Sequence, residues 1–207
     1  MKKNQIFTEI FELLLVVLVA LTVRFYVVSL FRVSGPSMCN TLNYIDSNCR
    51  NGFGDIMLVN HFKYLFKDPV RGEVVVFKPE GYEDYLVKRV IGVPGDKIII
   101  QNGFVFREED GVLNKINEFY LNSENLGRTF TANFRDRVEY NVPSGRYFLL
   151  GDNRNHSSDS RNCFSKVQGS FCDPSSNDPY VLKSLISGKS EFVIWPISNI
   201  QKIELGS

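Results

Sequence analysis

Residues 85–106 read Tyr85-Leu86-Val87-Lys88-Arg89-Val90-Ile91-Gly92-Val93-Pro94-Gly95-Asp96-Lys97-Ile98-Ile99-Ile100-Gln101-Asn102-Gly103-Phe104-Val105-Phe106. Short β-branched and aromatic runs alternate with Pro94-Gly95 and Asn102-Gly103, and each run is too short for an ordinary helix, so the stretch predicts strands joined by turns. Asn102-Gly103 between two such runs is a type I′ hairpin signal, because both central positions need positive φ. The same punctuation extends outward. Strands are expected at residues 56–60, 73–77, 85–91, 97–101, 103–106, 146–150 and 191–195, which makes the fold mainly β. Residues 114–141 are more polar and less periodic and read as an excursion from the main sheet, part of an insertion at about 102–142. Residues 164–189, rich in Ser, Asp, Pro and Gly, read as a long loop with one helical turn around 181–186. No internal repeat is evident.

The N-terminal region reads differently. Residues 10–31 are mostly apolar and residues 13–21 entirely so, and a helix rising about 1.5 Å per residue over that length spans roughly 30 Å of hydrocarbon. The run exceeds a secretory h-region of about 7–15 residues and no small-x-small cleavage site follows it, so a retained single-pass anchor is expected rather than a cleaved signal. It also lacks the polar face of a core helix. Lys2 and Lys3 precede it, which by the positive-inside rule places the N-terminus in the cytoplasm and the rest outside the plasma membrane. Arg24 falls near the outer end, where its stem can snorkel to the headgroups. The expected organisation is an anchor at residues 1–32 and one extracytoplasmic domain at 33–207.

With 24 basic and 23 acidic side chains there is no electrostatic footprint for nucleic acid. Cys39, Cys49, Cys163 and Cys172 form local pairs without a C-x-x-C cluster, which argues against a structural zinc site and, outside the cytosol, for disulfides. Of the three connectivities, proximity in sequence favours Cys39 with Cys49 and Cys163 with Cys172.

Three segments carry chemistry. Ser34-Gly35-Pro36-Ser37-Met38 follows the anchor, and its glycine and proline fix a turn that presents Ser37 at the bilayer surface. The base for such a hydroxyl is either His61 or His156, the only histidines, or a lysine. Lys88 lies in an apolar strand where period-2 alternation turns it and Val90 to one face and Val87, Arg89 and Ile91 to the other. Burial there lowers its pKa and lets it accept a proton; at an exposed edge it would be an ordinary snorkelling lysine. The third segment, Gly151-Asp152-Asn153-Arg154-Asn155-His156-Ser157-Ser158-Asp159-Ser160-Arg161, is dense in hydrogen-bonding groups. Asp159 and Arg161 can pair and Ser157 or Ser158 can orient an amine; a solvated polar turn is the bland alternative.

The order of these pieces is more specific than any one of them. Behind the apolar segment come Ser-Gly-Pro-Ser-Met, then Gly54-Asp55 leading to Leu58-Val59-Asn60, then Arg71-Gly72-Glu73 with Val74 to Phe77. Lys88 to Asp96, Gly151-Asp152-Asn153-Arg154 and a closing Phe192-Val193-Ile194-Trp195-Pro196 complete the series. This succession resembles the signature boxes of type I signal peptidases. The resemblance implies a signal-peptidase-like β-sheet catalytic domain with one N-terminal transmembrane helix, a serine endopeptidase that removes signal peptides from exported preproteins. It implies Ser37 as nucleophile and oxyanion donor through its N–H, Lys88 as general base, and Ser157 as the serine that orients the lysine. Asp159 and Arg161 brace the site, with Gly151 and Asn153 as structural support. Ser34, Gly35, Pro36, Met38, Leu86 and Val87 are expected along the substrate strand, and neither metal nor cofactor is required. The chain departs from the family where Gly35 stands at a position that some members fill with a second oxyanion-donating serine. It also has Cys39-Asn40-Thr41-Leu42 where many have a proline, so a Cys39–Cys49 bridge would hold that turn instead. A specialised Ser-Lys protease, such as a pilin-transfer or self-cleaving regulator protein, and a tethered peptide-binding β-domain without catalysis are the competing readings. The first fits the anchor poorly when the regulators are soluble; the second leaves the Ser37 and Lys88 context unexplained.

Overall fold

A computed structural model describes residues 2–22, 27–45, 48–131, 137–165, 172 and 178–206. The apolar run does not form one element. Its helix α1 spans Lys2–Thr22, and Val28–Ser34 forms strand β1. Hydropathy alone merges the two, but from Val28 onward inward Phe31 and Val33 alternate with exposed Leu30 and Arg32, the period of a sheet edge rather than of a helix. Arg24 lies outside the described residues, as do 132–136 of the excursion and 166–171 and 173–177 of the long loop. An apolar stretch of α1, Gln5–Thr22, is long enough to cross a bilayer and has none of its surface buried.

The remaining elements follow in order: β2 (Tyr44–Ile45), β3 (Asn48–Cys49), β4 (Phe53–Asn60), helix α2 (Lys63–Phe66), β5 (Val74–Phe77), β6 (Leu86–Gly92), β7 (Lys97–Gln101) and β8 (Phe104–Glu109). Then come β9 (Val112–Lys115), β10 (Arg137–Asn141), β11 (Arg146–Leu150), β12 (Val181–Leu182), β13 (Ile186–Trp195) and β14 (Gln201–Lys202). The main antiparallel sheet has the order β1-β4-β13-β5-β6-β11-β12, with β14 also on β13. A second sheet, β10-β7-β8-β9, holds the expected hairpin: Gln101 pairs with Phe104, and Asn102 and Gly103 have φ of 51° and 80°. The excursion is therefore not irregular throughout, since its ends supply β9 and β10. The expected helical turn is the 3-10 turn Lys183–Leu185, set between β12 and β13.

Simple inside-outside alternation fails in β6. Lys88, Arg89, Val90 and Ile91 are all buried, at 2, 1, 0 and 3% exposure, because apolar side chains cover both faces of the sheet. Register matters equally. Arg89 to Gly92 pair with β11, whereas Leu86, Val87 and Lys88 pair only with β5, leaving half of β6 with a free edge. The outer edge of β1 is also unpaired among the described residues. These two free edges meet across one cleft.

Candidate active site

Ser37 follows β1 in a tight turn. Gly35 has a φ of +82°, which favours glycine and accounts for the absence of a serine there, although a Cβ would meet nothing within 4 Å. Cys39 N donates to Pro36 O at 2.9 Å and Leu42 N to Met38 O at 2.8 Å, winding the chain into a compact turn behind the partly exposed serine. The Cys39–Cys49 disulfide, with a Cα separation of 5.6 Å, ties this turn to β3, and Cys163 is bonded to Cys172. Both pairings match the expectation from proximity.

Lys88 Nζ lies 2.8 Å from Ser37 Oγ and 2.9 Å from Val87 O. Burial pushes its pKa down from 10.5 to about 8; the negative charges of Asp159 and Asp152 oppose the shift and Arg161 assists it. A buried amine of that pKa, in hydrogen-bond contact with a partly exposed hydroxyl, can take a proton from the serine as its oxygen attacks a carbonyl.

The polar loop after β11 forms the third wall. Arg161 donates from Nε to Asp159 Oδ1 and from Nη2 to Asp159 Oδ2, each at 2.9 Å, and Gly151 N donates to Asp159 Oδ2 at 3.1 Å. Burial opposes ionisation of Asp159, but the Arg161 charge and these hydrogen bonds hold its carboxyl below the ordinary carboxylate range. Asn153 clamps the Ser37 turn twice, donating from Nδ2 to Pro36 O and from its backbone N to Ser37 O, both at 3.1 Å. The Ser157 hydroxyl is buried beside Asp159 and makes no hydrogen bond, to Lys88 or to any other described residue. Ser158 is turned away and donates to Ser165 O.

A cleft of about 430 Å³ opens at the dyad. Ser34 and Met38 line it from the β1 side and Leu86 and Val87 from β6, together with Val33 and Met57; Gly35 and Pro36 do not reach it. Phe31 and Tyr85 meet edge to face at 5.3 Å, bridging the two walls. Neither histidine enters the dyad. His61 bonds Ser29 Oγ at 2.6 Å and Ser187 O at 2.7 Å, and His156 is exposed.

The sequence reading missed the struts beneath the site. Arg89 makes a bidentate pair with Asp152 at 2.9 and 2.8 Å, stacks over Tyr120 at 4.0 Å and donates to Gly72 O at 2.7 Å. Thr41 donates to the same Asp152 carboxylate, which links the Ser37 turn to β6. Fully buried Asn43 donates to Val33 O, Gly35 O and Gly52 O and exchanges backbone and side-chain hydrogen bonds with Asp55. Its φ of 59° is one that asparagine tolerates, the only local signal for this clamp.

The family model described as signal peptidase, peptidase S26, matches residues 7–195. Among similar curated proteins, Signal peptidase I of Bacillus licheniformis is 28% identical, covering 98% of this chain and 96% of its own. Signal peptidase I P of Bacillus subtilis subsp. natto is 30% identical over 97% of this chain and 95% of its own. Signal peptidase IB of Staphylococcus aureus strain COL is 30% identical over 93% of each.

Proposed function

The chain belongs to the signal peptidase family, peptidase S26, and from that premise we propose that Ser37 and Lys88 are the nucleophile and general base with which it cuts signal peptides from exported preproteins. The observation that carries the assignment is the 2.8 Å contact between Ser37 Oγ and a lysine only 2% exposed. Neutral Lys88 accepts the Ser37 proton as Oγ bonds to the scissile carbonyl carbon. The protonated amine then supplies a proton to the leaving amine, and the signal peptide remains as an ester on Ser37. Water, deprotonated by the same amine, hydrolyses that ester and regenerates the serine. Ser37 N–H supports the oxyanion, Asn153 holds the turn, and Asp159 with Arg161 fixes the loop against which Lys88 packs.

The substrate enters as an extended strand between the free edges of β1 and Leu86–Lys88. Backbone hydrogen bonds give affinity there, while small alternate side chains fit the shallow apolar floor. The N-terminal helix makes the enzyme a single-pass membrane protein, with its N-terminus in the cytoplasm and the sheet domain outside. Confinement of enzyme and signal helix to one bilayer raises the effective concentration of the scissile bond at Ser37.

The direct test is to incubate the full chain in detergent with a preprotein carrying an Ala-x-Ala site and to sequence the new N-terminus. Cleavage after the second alanine is expected, and His61→Ala and His156→Ala should each keep most of it. Binding without a new N-terminus would leave a peptide receptor. An inactive His156→Ala enzyme would point to a histidine base.

The disulfides separate function from stability. Cys39 is fully buried two residues from Ser37, and its bridge closes a sequence separation of 10, for which chain entropy contributes somewhat less than the ~3 kcal/mol of a 15-residue loop. Mild reduction is expected to lower turnover before thermal unfolding shifts, and Cys39→Ser should harm kcat more than Cys163→Ser. Equal activity of the two variants would rule out a role for the bridge in aiming the hydroxyl.

A further inference from the structure

Residues 151–162 carry no apolar side chain, so the loop that holds Asn153 and Asp159 cannot be fixed by hydrophobic packing of its own residues. Its fastening is polar, and one side of it comes from the excursion. Buried Arg154 pairs with buried Glu118: Nη1 donates to Glu118 Oε2 at 3.3 Å and Nη2 to Glu118 Oε1. The same guanidinium donates to Thr129 Oγ1 and, from Nε, to Gly151 O at 3.1 Å. Burial opposes its charge, and Glu118 more than offsets that, so its pKa stands above the ordinary guanidinium value. Tyr120 OH donates to Glu118 Oε1 at 3.0 Å while the Tyr120 ring lies 4.0 Å from the Arg89 guanidinium, which joins this cluster to the strut beneath the site. Two further straps run beside it, from Asn155 Nδ2 to Glu124 O at 2.8 Å and from Arg161 Nη1 to Phe130 O at 3.2 Å. The excursion is itself fastened to the β7–β8 hairpin. Thr129 N donates to Gly103 O at 2.9 Å, and the two main chains approach so closely that a Cβ on Gly103 would stand 2.1 Å from Gly127 O.

We propose that Glu118 is a positioning residue for the peptidase reaction: through Arg154 it fixes Gly151 and Asn153, and with them the turn that carries Ser37, so that the excursion sets the rate of the chemical step without touching substrate. The inference rests on the reading of Ser37 and Lys88 as the dyad. The path is continuous. Arg154 holds Gly151 O, Gly151 N holds Asp159, and Asn153 holds Pro36 O and Ser37 O. Removing the Glu118 carboxylate leaves a buried guanidinium without its counter-charge, and the loop must shift to find it another acceptor or water. None of the residues 118–130 lines the dyad cleft, so such a shift acts on the placement of Ser37 Oγ rather than on the substrate walls.

The full chain would be assayed in detergent on the Ala-x-Ala preprotein, below the thermal transition of each variant. Glu118→Gln removes the charge and keeps the shape; kcat is expected to fall about 10²-fold, with KM within about twofold of the parent. The acid limb of kcat/KM should keep its midpoint at about 8, because burial, Asp159, Asp152 and Arg161 set the Lys88 pKa. A Glu118→Leu, Arg154→Met double variant deletes both buried charges and should regain the thermal stability of the parent. Its kcat should nevertheless stay low by about tenfold or more, because Gly151 O has lost its donor. Recovery of kcat along with stability would show that the pair only holds the fold, and overturns the proposal. A parent-like kcat in Glu118→Gln, a loss confined to KM or a displaced midpoint does the same. Should Glu118→Gln fail to fold, Glu118→Asp keeps the charge pair and draws the carboxylate back by one methylene. A loss of about tenfold in kcat is then expected, and parent-like turnover overturns the proposal. Ser37→Ala, run beside these variants, tests the premise separately: turnover there would remove the dyad, and this inference with it.

Discussion

Ser37→Ala and Lys88→Ala are each expected to lower preprotein cleavage by about 10⁴-fold or more, with near-native circular dichroism, because each removes one half of a unit that acts together. Lys88→Arg should be as inactive, since a guanidinium does not release its proton in the usable pH range. The pH profile follows from the amine. With the Lys88 pKa lowered by burial to about 8, kcat/KM should climb with pH through that value and fall about tenfold per unit on the acid side. Stability carries the same signature. The unfolded chain binds the extra proton between about 8 and 10.5, so folding stability should rise across that window, and below it the full cost of burying the charge remains. Lys88→Met should therefore be inactive yet more stable at neutral pH, by at most about 3 kcal/mol. Denaturant titration of Lys88→Met decides this point, and a variant less stable than the parent would show that the amine is not a buried cost. A pH profile flat between 6 and 9 would exclude Lys88 as the base.

What the sequence disclosed depended on where each element sits. β7 and β11 match their predicted bounds because their apolar residues are packed into the core and end at turn residues. β9 left little trace, since all four of its residues are exposed and an edge strand without a buried face lacks the hydrophobic period; β10 alternates Val138 and Tyr140 toward the core, but only these two residues of five carry the pattern. β1 was hidden by the opposite fault: its apolar residues continue those of α1, and only its register with β4 separates sheet from helix. In the candidate site, motif order singled out Ser37 and Lys88, which the fold brings to 2.8 Å of each other. Arg89 was not, because Asp152, which satisfies its charge, lies 63 residues away and is brought to it by the β6–β11 pairing. The Ser157 hydroxyl sits by Asp159 without a hydrogen bond to Lys88, a placement that motif order alone does not give.

Gly151→Ala should damage turnover through a single added methyl group placed between Ser37 and Ser157. A Cβ at this position would stand 2.1 Å from Ser157 Oγ, 2.6 Å from Ser157 Cβ and 2.5 Å from the Ser37 carbonyl oxygen. The serine side chain can rotate, but the carbonyl is main chain and receives the Asn153 N–H, so relief requires moving the nucleophile turn or the loop. The loop is also fastened: Gly151 N donates to Asp159 and Gly151 O accepts from Arg154 Nε at 3.1 Å. Overpacking of this kind costs about 1–3 kcal/mol in stability, and a displacement near 1 Å at a reacting atom costs about 10²-fold in rate. The loss should fall on kcat, with KM little changed, because the cleft walls at Leu86 and Val87 are untouched. Gly52→Ala is the control, a glycine with open space and no positive φ, and it should behave as the parent. A Gly151→Ala, Ser157→Gly double variant separates the two contacts. It should stay slow if the Ser37 carbonyl is the obstacle, whereas recovery of kcat to within a few fold would place the whole effect on Ser157.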